Sequence, residues 1–168
     1  MQYLFMLGKN PEISVVEIIS YLNTYKYKYQ IKERSKMYLW LQAEDLDTSI
    51  IMKGLGGTTK IAKESAVENI VIDKNKIMYG INFLTNDQKI KEELREFFKE
   101  ERMKAQYKLP KDKKIFTPKE SNKLDIEFIC LNHKRYIVCA VSNPREYKKR
   151  DESRPHFDAK TVISIRLA

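Results

Sequence analysis

Apolar positions along this chain alternate between two periods. Gln2 to Gly8 is a short continuous apolar run, the pattern of a buried strand, and Gly8-Lys9-Asn10-Pro11 breaks it. Val15, Ile18, Ile19 and Leu22 then recur at i, i+3, i+4 and i+7, one face of a helix. Ser14, with Glu17 three residues later, has capping-box spacing and predicts that helix's start. Asn23 and Thr24 end it. Tyr27, Tyr29 and Ile31 alternate with Lys28, Gln30 and Lys32. After Arg34-Ser35-Lys36, Met37, Leu39, Leu41 and Ala43 alternate with Tyr38, Trp40 and Gln42, completing a hairpin. Asp45 or Asp47 can cap a short helix carrying Leu46, Ile50 and Ile51. Gly54-Leu55-Gly56-Gly57 stops it, and Thr58 to Lys63 reads as a strand.

The order β-α-β-β-α-β is that of a ferredoxin-like unit. A polar stretch from Glu64 to Lys76 follows, with one apolar patch at Ile70 to Ile72. Ile77 to Leu84 alternates as a strand. Thr85 or Asn86 is expected to cap a long helix with Ile90, Leu94, Phe97 and Phe98 in one stripe. Lysines, arginines and glutamates nearly balance on its other faces, which reads as a solvated surface. Leu124, Ile126, Phe128 and Cys130 alternate, Asn132-His133-Lys134 turns the chain, and Tyr136 to Val141 returns as a strand. The class expected is α/β (α+β).

Charge adds a partner class. The 168 residues carry 32 Lys and Arg against 23 Asp and Glu, a net charge of +9. Such an excess suits a polyanion, nucleic acid first and an anionic membrane surface second. Lysine dominates and acts on phosphate as a point charge, which favours backbone attraction over base reading. Between Lys104 and Lys119, six lysines (Lys104, Lys108, Lys111, Lys113, Lys114, Lys119) oppose only Asp112, and Tyr107 and Phe116 are interleaved. Cations with aromatic faces suit single-stranded RNA. The plainer reading is an exposed loop entering a strand, with Phe116 in the core. The tyrosines at 25, 27 and 29 pose the same choice between stacking on bases and packing a strand.

Other chemistry is sparse. Two cysteines make no disulfide framework, and Cys130, His133 and Cys139 supply too few ligands for a metal. Gly56-Gly57 leaves a helix and enters a strand, the reverse of a phosphate-binding loop. No apolar run is long enough to span a bilayer, so a reducing cytoplasm and no membrane partner are expected.

The last motif runs from Asn143 to Lys160. It has no apolar period, and Tyr147 is flanked by Arg145, Lys148, Lys149 and Arg150. By composition it is a solvated connector. Tyr147-x-x-Arg150-Asp151-x-x-Arg154-Pro155-x-x-Asp158-Ala159-Lys160 resembles the segment joining a THUMP domain to the methyltransferase domain in archaeal tRNA guanosine N2-methyltransferases. Leu7-Gly8-Lys9-Asn10-Pro11-Glu12-Ile13-Ser14 resembles the opening of that family. Leu55-Gly56-Gly57-Thr58-Thr59-Lys60-Ile61-Ala62-Lys63 resembles the end of its ferredoxin-like domain.

The resemblance implies a ferredoxin-like domain at 1–66, a THUMP-like RNA-binding domain at 67–150 and a connector at 151–168. It implies binding of the tRNA acceptor stem and 3′ end, through Lys108, Lys111, Lys113, Lys114, Phe116, Lys119, Arg145, Tyr147, Lys148, Lys149 and Arg150. The family's catalytic half needs a glycine-containing site for S-adenosylmethionine and an Asn/Asp-Pro-Pro-Tyr motif. Neither occurs here: Asn143-Pro144 continues as Arg145-Glu146, and Asn10-Pro11 as Glu12. The expectation is therefore tRNA binding with no cofactor and no catalysis by this chain alone, beside a separate methyltransferase chain. An adaptor for another tRNA-modifying enzyme, such as a cytidine acetyltransferase, and a plain protein-interaction subunit are the alternatives.

Overall fold

The computed structural model describes residues 1–66, 70, 73–111 and 115–143. Its first six elements are β1 (Gln2–Leu7), α1 (Pro11–Thr24), β2 (Tyr29–Arg34), β3 (Tyr38–Ala43), α2 (Thr48–Gly54) and β4 (Thr58–Glu64). The next six are β5 (Lys76–Phe83), α3 (Gln88–Glu100), β6 (Lys104–Lys108), α4 (Pro118–Ser121), β7 (Ile126–Leu131) and β8 (Lys134–Val141). The α/β class and the leading β-α-β-β-α-β order agree with the sequence pattern.

All eight strands form one sheet, in the order β2-β3-β1-β4-β8-β7-β5-β6. The first four strands pair antiparallel, and β4 pairs antiparallel with β8. β5 pairs in parallel with both β6 and β7. The segments before and after residue 66 thus share a continuous backbone ladder.

Register decides which side chains share a face. Tyr3 pairs with Lys63, Lys63 with Ile137, Ile137 with Phe128 and Phe128 with Ile81. Directly paired residues point the same way, so this row lies on one face. That face carries two cores. Tyr3, Phe5, Leu39, Leu41 and Ile61 bury Val15, Ile18 and Leu22 of α1 and Ile51 of α2. Ile77, Tyr79, Ile81 and Phe128 bury Ile90, Leu94 and Phe98 of α3. The opposite face holds a third cluster drawn from both halves: Leu4, Met6, Tyr38 and Ala62 with Ile129, Leu131 and Tyr136.

Helix starts differ from the sequence expectation. Asn10 is the N-cap of α1, with Pro11 in its first turn. Ser14 lies inside α1, and its hydroxyl donates to Asn10 O at 3.0 Å and Gly57 O at 2.7 Å. The Glu17 carboxylate accepts from Gly56 N at 2.6 Å and Gly57 N at 2.7 Å. Asp47 caps α2, accepting from Ile50 N. Asp87, not Thr85 or Asn86, caps α3. Its second oxygen meets His133 Nδ1 at 2.7 Å, which ties the β7–β8 turn to the helix start.

A buried polar knot joins the two halves. Lys60, Asn82 and Glu127 stand on β4, β5 and β7 and are at most 4% exposed. Lys60 reaches across β8 to pair with Glu127, and its Nζ donates to Phe116 O at 2.5 Å. Asn82 Nδ2 donates to Glu127 Oε1 at 2.6 Å and Phe128 O at 3.1 Å; Asn82 Oδ1 accepts from Phe116 N at 2.7 Å. Burial pulls the Lys60 pKa down and the adjacent Glu127 opposes that shift.

Removing one partner of a buried pair leaves a charge without compensation, which costs about 3–5 kcal/mol. Lys60→Met is therefore expected to lower stability by that amount in urea unfolding. Lys60→Met combined with Glu127→Gln is expected to lose less. No orphan charge remains in that double variant, and the introduced amide oxygen still accepts from Asn82. Equal stability of the wild type and Lys60→Met would show that the knot contributes nothing.

Candidate nucleic-acid interface

The β6 edge and the connection after it carry most of the described lysines of the basic segment. Lys104, Gln106 and Lys108 pair with Lys76, Met78 and Gly80 of β5, so these positions share one face. Gly80 and Phe116 make that face the one opposite α3. Lys76 and Lys104 are exposed, directly opposed across the ladder, and Lys108 is half-buried. Like charges directly opposed repel, so this pair has no structural gain to explain it. Lys111 and Lys119 are exposed farther on.

The connection is held by its own carboxylate. Thr117 and Glu120 form a reciprocal capping box at α4. Glu120 also accepts from Lys111 N at 3.0 Å, which closes the loop between β6 and α4. Hydrogen bonds from Thr117 N, then Lys111 N, then the Thr117 hydroxyl hold its pKa down at about 2.

The aromatic expectations change. Phe116 is 3% exposed and packs in the space over Gly80, where a Cβ would lie 2.4 Å from its ring. It offers no face to a base and is removed from the interface. The reason is the missing side chain at Gly80, which lets the ring settle on the sheet. Tyr107 is half-buried on the α3 side, 5.4 Å from the Tyr79 ring, with Lys91 Nζ 4.8 Å from its centroid. Tyr27 and Tyr29 pack against the first core, whereas Tyr25 follows α1, 61% exposed, with its ring 4.5 Å from Tyr21. Lys113, Lys114, Arg145, Tyr147, Lys148, Lys149 and Arg150 lie outside the described residues, as does the connector 151–168.

Helix α3 presents a signal that a net count conceals. At about 100° per residue, Lys91, Arg95 and Lys99 share one flank, and Glu92, Glu93, Glu96 and Glu100 share the other with a single cation, Lys89. Tertiary contacts orient these flanks. Lys91 lies over Tyr107 of β6, while Glu93 meets Arg135 of β8 at 2.7 Å. The basic flank faces the β6 edge, and all three of its cations are exposed. The i, i+4, i+8 spacing of Lys91, Arg95 and Lys99 was visible in the sequence; which flank meets the edge was not.

The two glycine motifs converge without forming an anion site. Gly8 N donates to Gly57 O at 2.7 Å, and the Glu17 carboxylate occupies the Gly56 and Gly57 amides. A Cβ on Gly57 would lie 2.5 Å from Ser14 Oγ. Leu7 to Ser14 and Leu55 to Lys63 therefore brace each other internally.

No family model matches this chain, and no curated protein matches it. No helix among the described residues is long and apolar enough to cross a membrane, and none of their His, Cys, Asp and Glu side chains group as a metal site.

Glu120→Ala is expected to cost about 1 kcal/mol, the scale of a lost cap, and to speed amide exchange at Lys111 and Thr117. The folded-state pKa of Glu120 lies below its ordinary value of 4.5. Its contribution is complete above that value and is lost as pH falls toward 2. The stability gap between wild type and variant should close over that window in pH-dependent thermal unfolding.

Proposed function

We infer that this chain binds tRNA without chemistry of its own, as the substrate-holding part of a tRNA guanosine N2-methyltransferase system. The observation carrying this reading is the set Lys76, Lys104, Lys108, Lys111 and Lys119. They gather along β6 and the connection after it, and among the described residues none is in an ion pair. Unpaired lysines on a chain of net charge +9 attract phosphate and release its counterions. The three motif resemblances supply the rest. Residues 67–150 act as a THUMP-like part that takes the acceptor stem and 3′ end, and 1–66 as a ferredoxin-like spacer. The target base is treated by a methyltransferase domain outside these 168 residues. The absent Pro-Pro-aromatic and glycine-rich motifs support the non-catalytic assignment.

With Phe116 and Tyr107 engaged in packing, Tyr147 is the aromatic to test as a stacking platform for a terminal base. Stacking contributes roughly 1 to 3 kcal/mol per base. Trimming the three 3′ nucleotides of a tRNA is expected to weaken binding at least about tenfold. For about five phosphate contacts on partly single-stranded RNA, log K should fall with log salt at a slope near −3.5 to −4.5, nearly unchanged by trimming. Equal binding of trimmed and intact tRNA at every salt concentration would reduce the interface to a non-specific basic surface.

Lys111, Lys113 and Lys114 belong to a polar run. Their joint replacement by Ala is expected to weaken tRNA binding in a gel shift, while each truncation costs about 0.5 kcal/mol or less of stability. Normal tRNA binding by the triple variant would make this segment a solvated loop.

A further inference from the structure

We propose that the β6 edge is a two-sided ridge that lies along double-stranded RNA, with α3 supplying one of its two cation rows. This deepens the tRNA-binding reading and rests on it. One row is Lys91, Arg95 and Lys99 on the flank of α3 that faces β6. The other is Lys76, Lys104 and Lys108 on the opposite face of the sheet. Tyr107 and Ala105 point to the α3 side and Lys104 and Lys108 to the other, so the strand runs between the rows.

The rows match in length and direction. Lys91 to Lys99 spans about 12 Å of helix. Lys104 to Lys108 spans about 13 Å of strand. The chain turns back between Glu100 and Lys104, so Lys99 and Lys104 lie at one end, and Lys91 and Tyr107 meet at the other. Among the described residues none of the six is in an ion pair. The acidic flank of α3 points toward solvent and β8, away from the ridge.

Two parallel rows of cations fit two phosphate backbones, and only a duplex offers two at a fixed separation. A-form RNA displays its backbones on either side of a wide, shallow minor groove, which a strand-thick ridge can approach. An anionic bilayer is the weaker partner. Membrane-surface helices present a broad apolar face beside their cations, and here the apolar stripe of α3 is buried against the sheet.

The test compares two variants of the full chain with equal charge loss. One is Lys91→Gln, Arg95→Gln and Lys99→Gln. The control is Lys28→Gln, Lys32→Gln and Lys36→Gln, at the β2 edge on the far side of the sheet. The probe is a blunt RNA hairpin without a 3′ overhang, with a tailed hairpin and phosphatidylserine vesicles in parallel. Circular dichroism and thermal unfolding verify that both variants fold.

The α3 variant is expected to bind the blunt hairpin at least about tenfold more weakly than wild type. Its salt slope should fall by about 2 to 3, from three lost phosphate contacts. The control should lose less than about threefold. Equal losses in both variants would overturn the ridge, because only net charge would then matter. So would undiminished hairpin binding by the α3 variant, or a loss seen only with vesicles. Wild-type binding to the tailed hairpin alone would overturn the ridge and leave the 3′-end reading standing. Equal wild-type binding to both hairpins, lost only in the α3 variant, would support the ridge and remove the 3′-end requirement. Failure of wild type to bind any RNA would overturn both.

Discussion

The pairing of Lys60 with Glu127 inside the sheet constrains everything around it. A lone ammonium or carboxylate at such depth is strongly disfavoured, so each needs the other in place. Lys60 comes from β4 and Glu127 from β7, with β8 between them. Their contact requires that the two halves of the chain be docked in one register. Asn82 and the backbone of Phe116 add further hydrogen bonds, which fixes where the loop before α4 crosses the sheet, while Glu127 Oε2 is buried without a partner among the described residues. The knot therefore specifies an arrangement more than it adds stability, and an apolar core of similar volume could be as stable.

That arrangement places the basic edge. Phe116 seats against Gly80 because Asn82 and Lys60 hold its amide and carbonyl. The connection then returns over the face opposite α3, and Glu120 holds Lys111 close to α4. On the other face, burial of Ile90, Leu94 and Phe98 sets the rotation of α3. The same rotation turns Lys91 over Tyr107 and Glu93 toward Arg135. Core packing thus sorts the surface charge of a helix whose formal charges nearly cancel.

The resemblance motifs acquire a structural role independent of any partner. Leu7 to Ser14 and Leu55 to Lys63 meet through Gly8, Ser14, Glu17 and Gly57. Gly57 is needed because Ser14 and Glu17 of α1 approach its backbone closely, and Gly8 because the Gly57 carbonyl lies against it. Glu17 takes two backbone amides there, where capping-box spacing had assigned it to its own helix.

Residue pattern alone determined ten of the twelve described elements, β6 and α4 excepted, among them the strand periods at Leu39 and Leu41 and the helical stripe at Ile90, Leu94 and Phe98, together with the charge excess. These are local properties, set by the alternation of a strand and the turn of a helix. Tertiary structure decided the rest. It buried Phe116, which had looked like a base-stacking aromatic, because Gly80 on another strand leaves the space that the ring fills. It gave the cap of α3 to Asp87, whose other oxygen finds His133 from a distant turn. It separated Lys91 from Glu93 by giving each flank a different neighbour. Each outcome depends on contacts between residues far apart in sequence, and a local period carries no information about which strand will lie beside it.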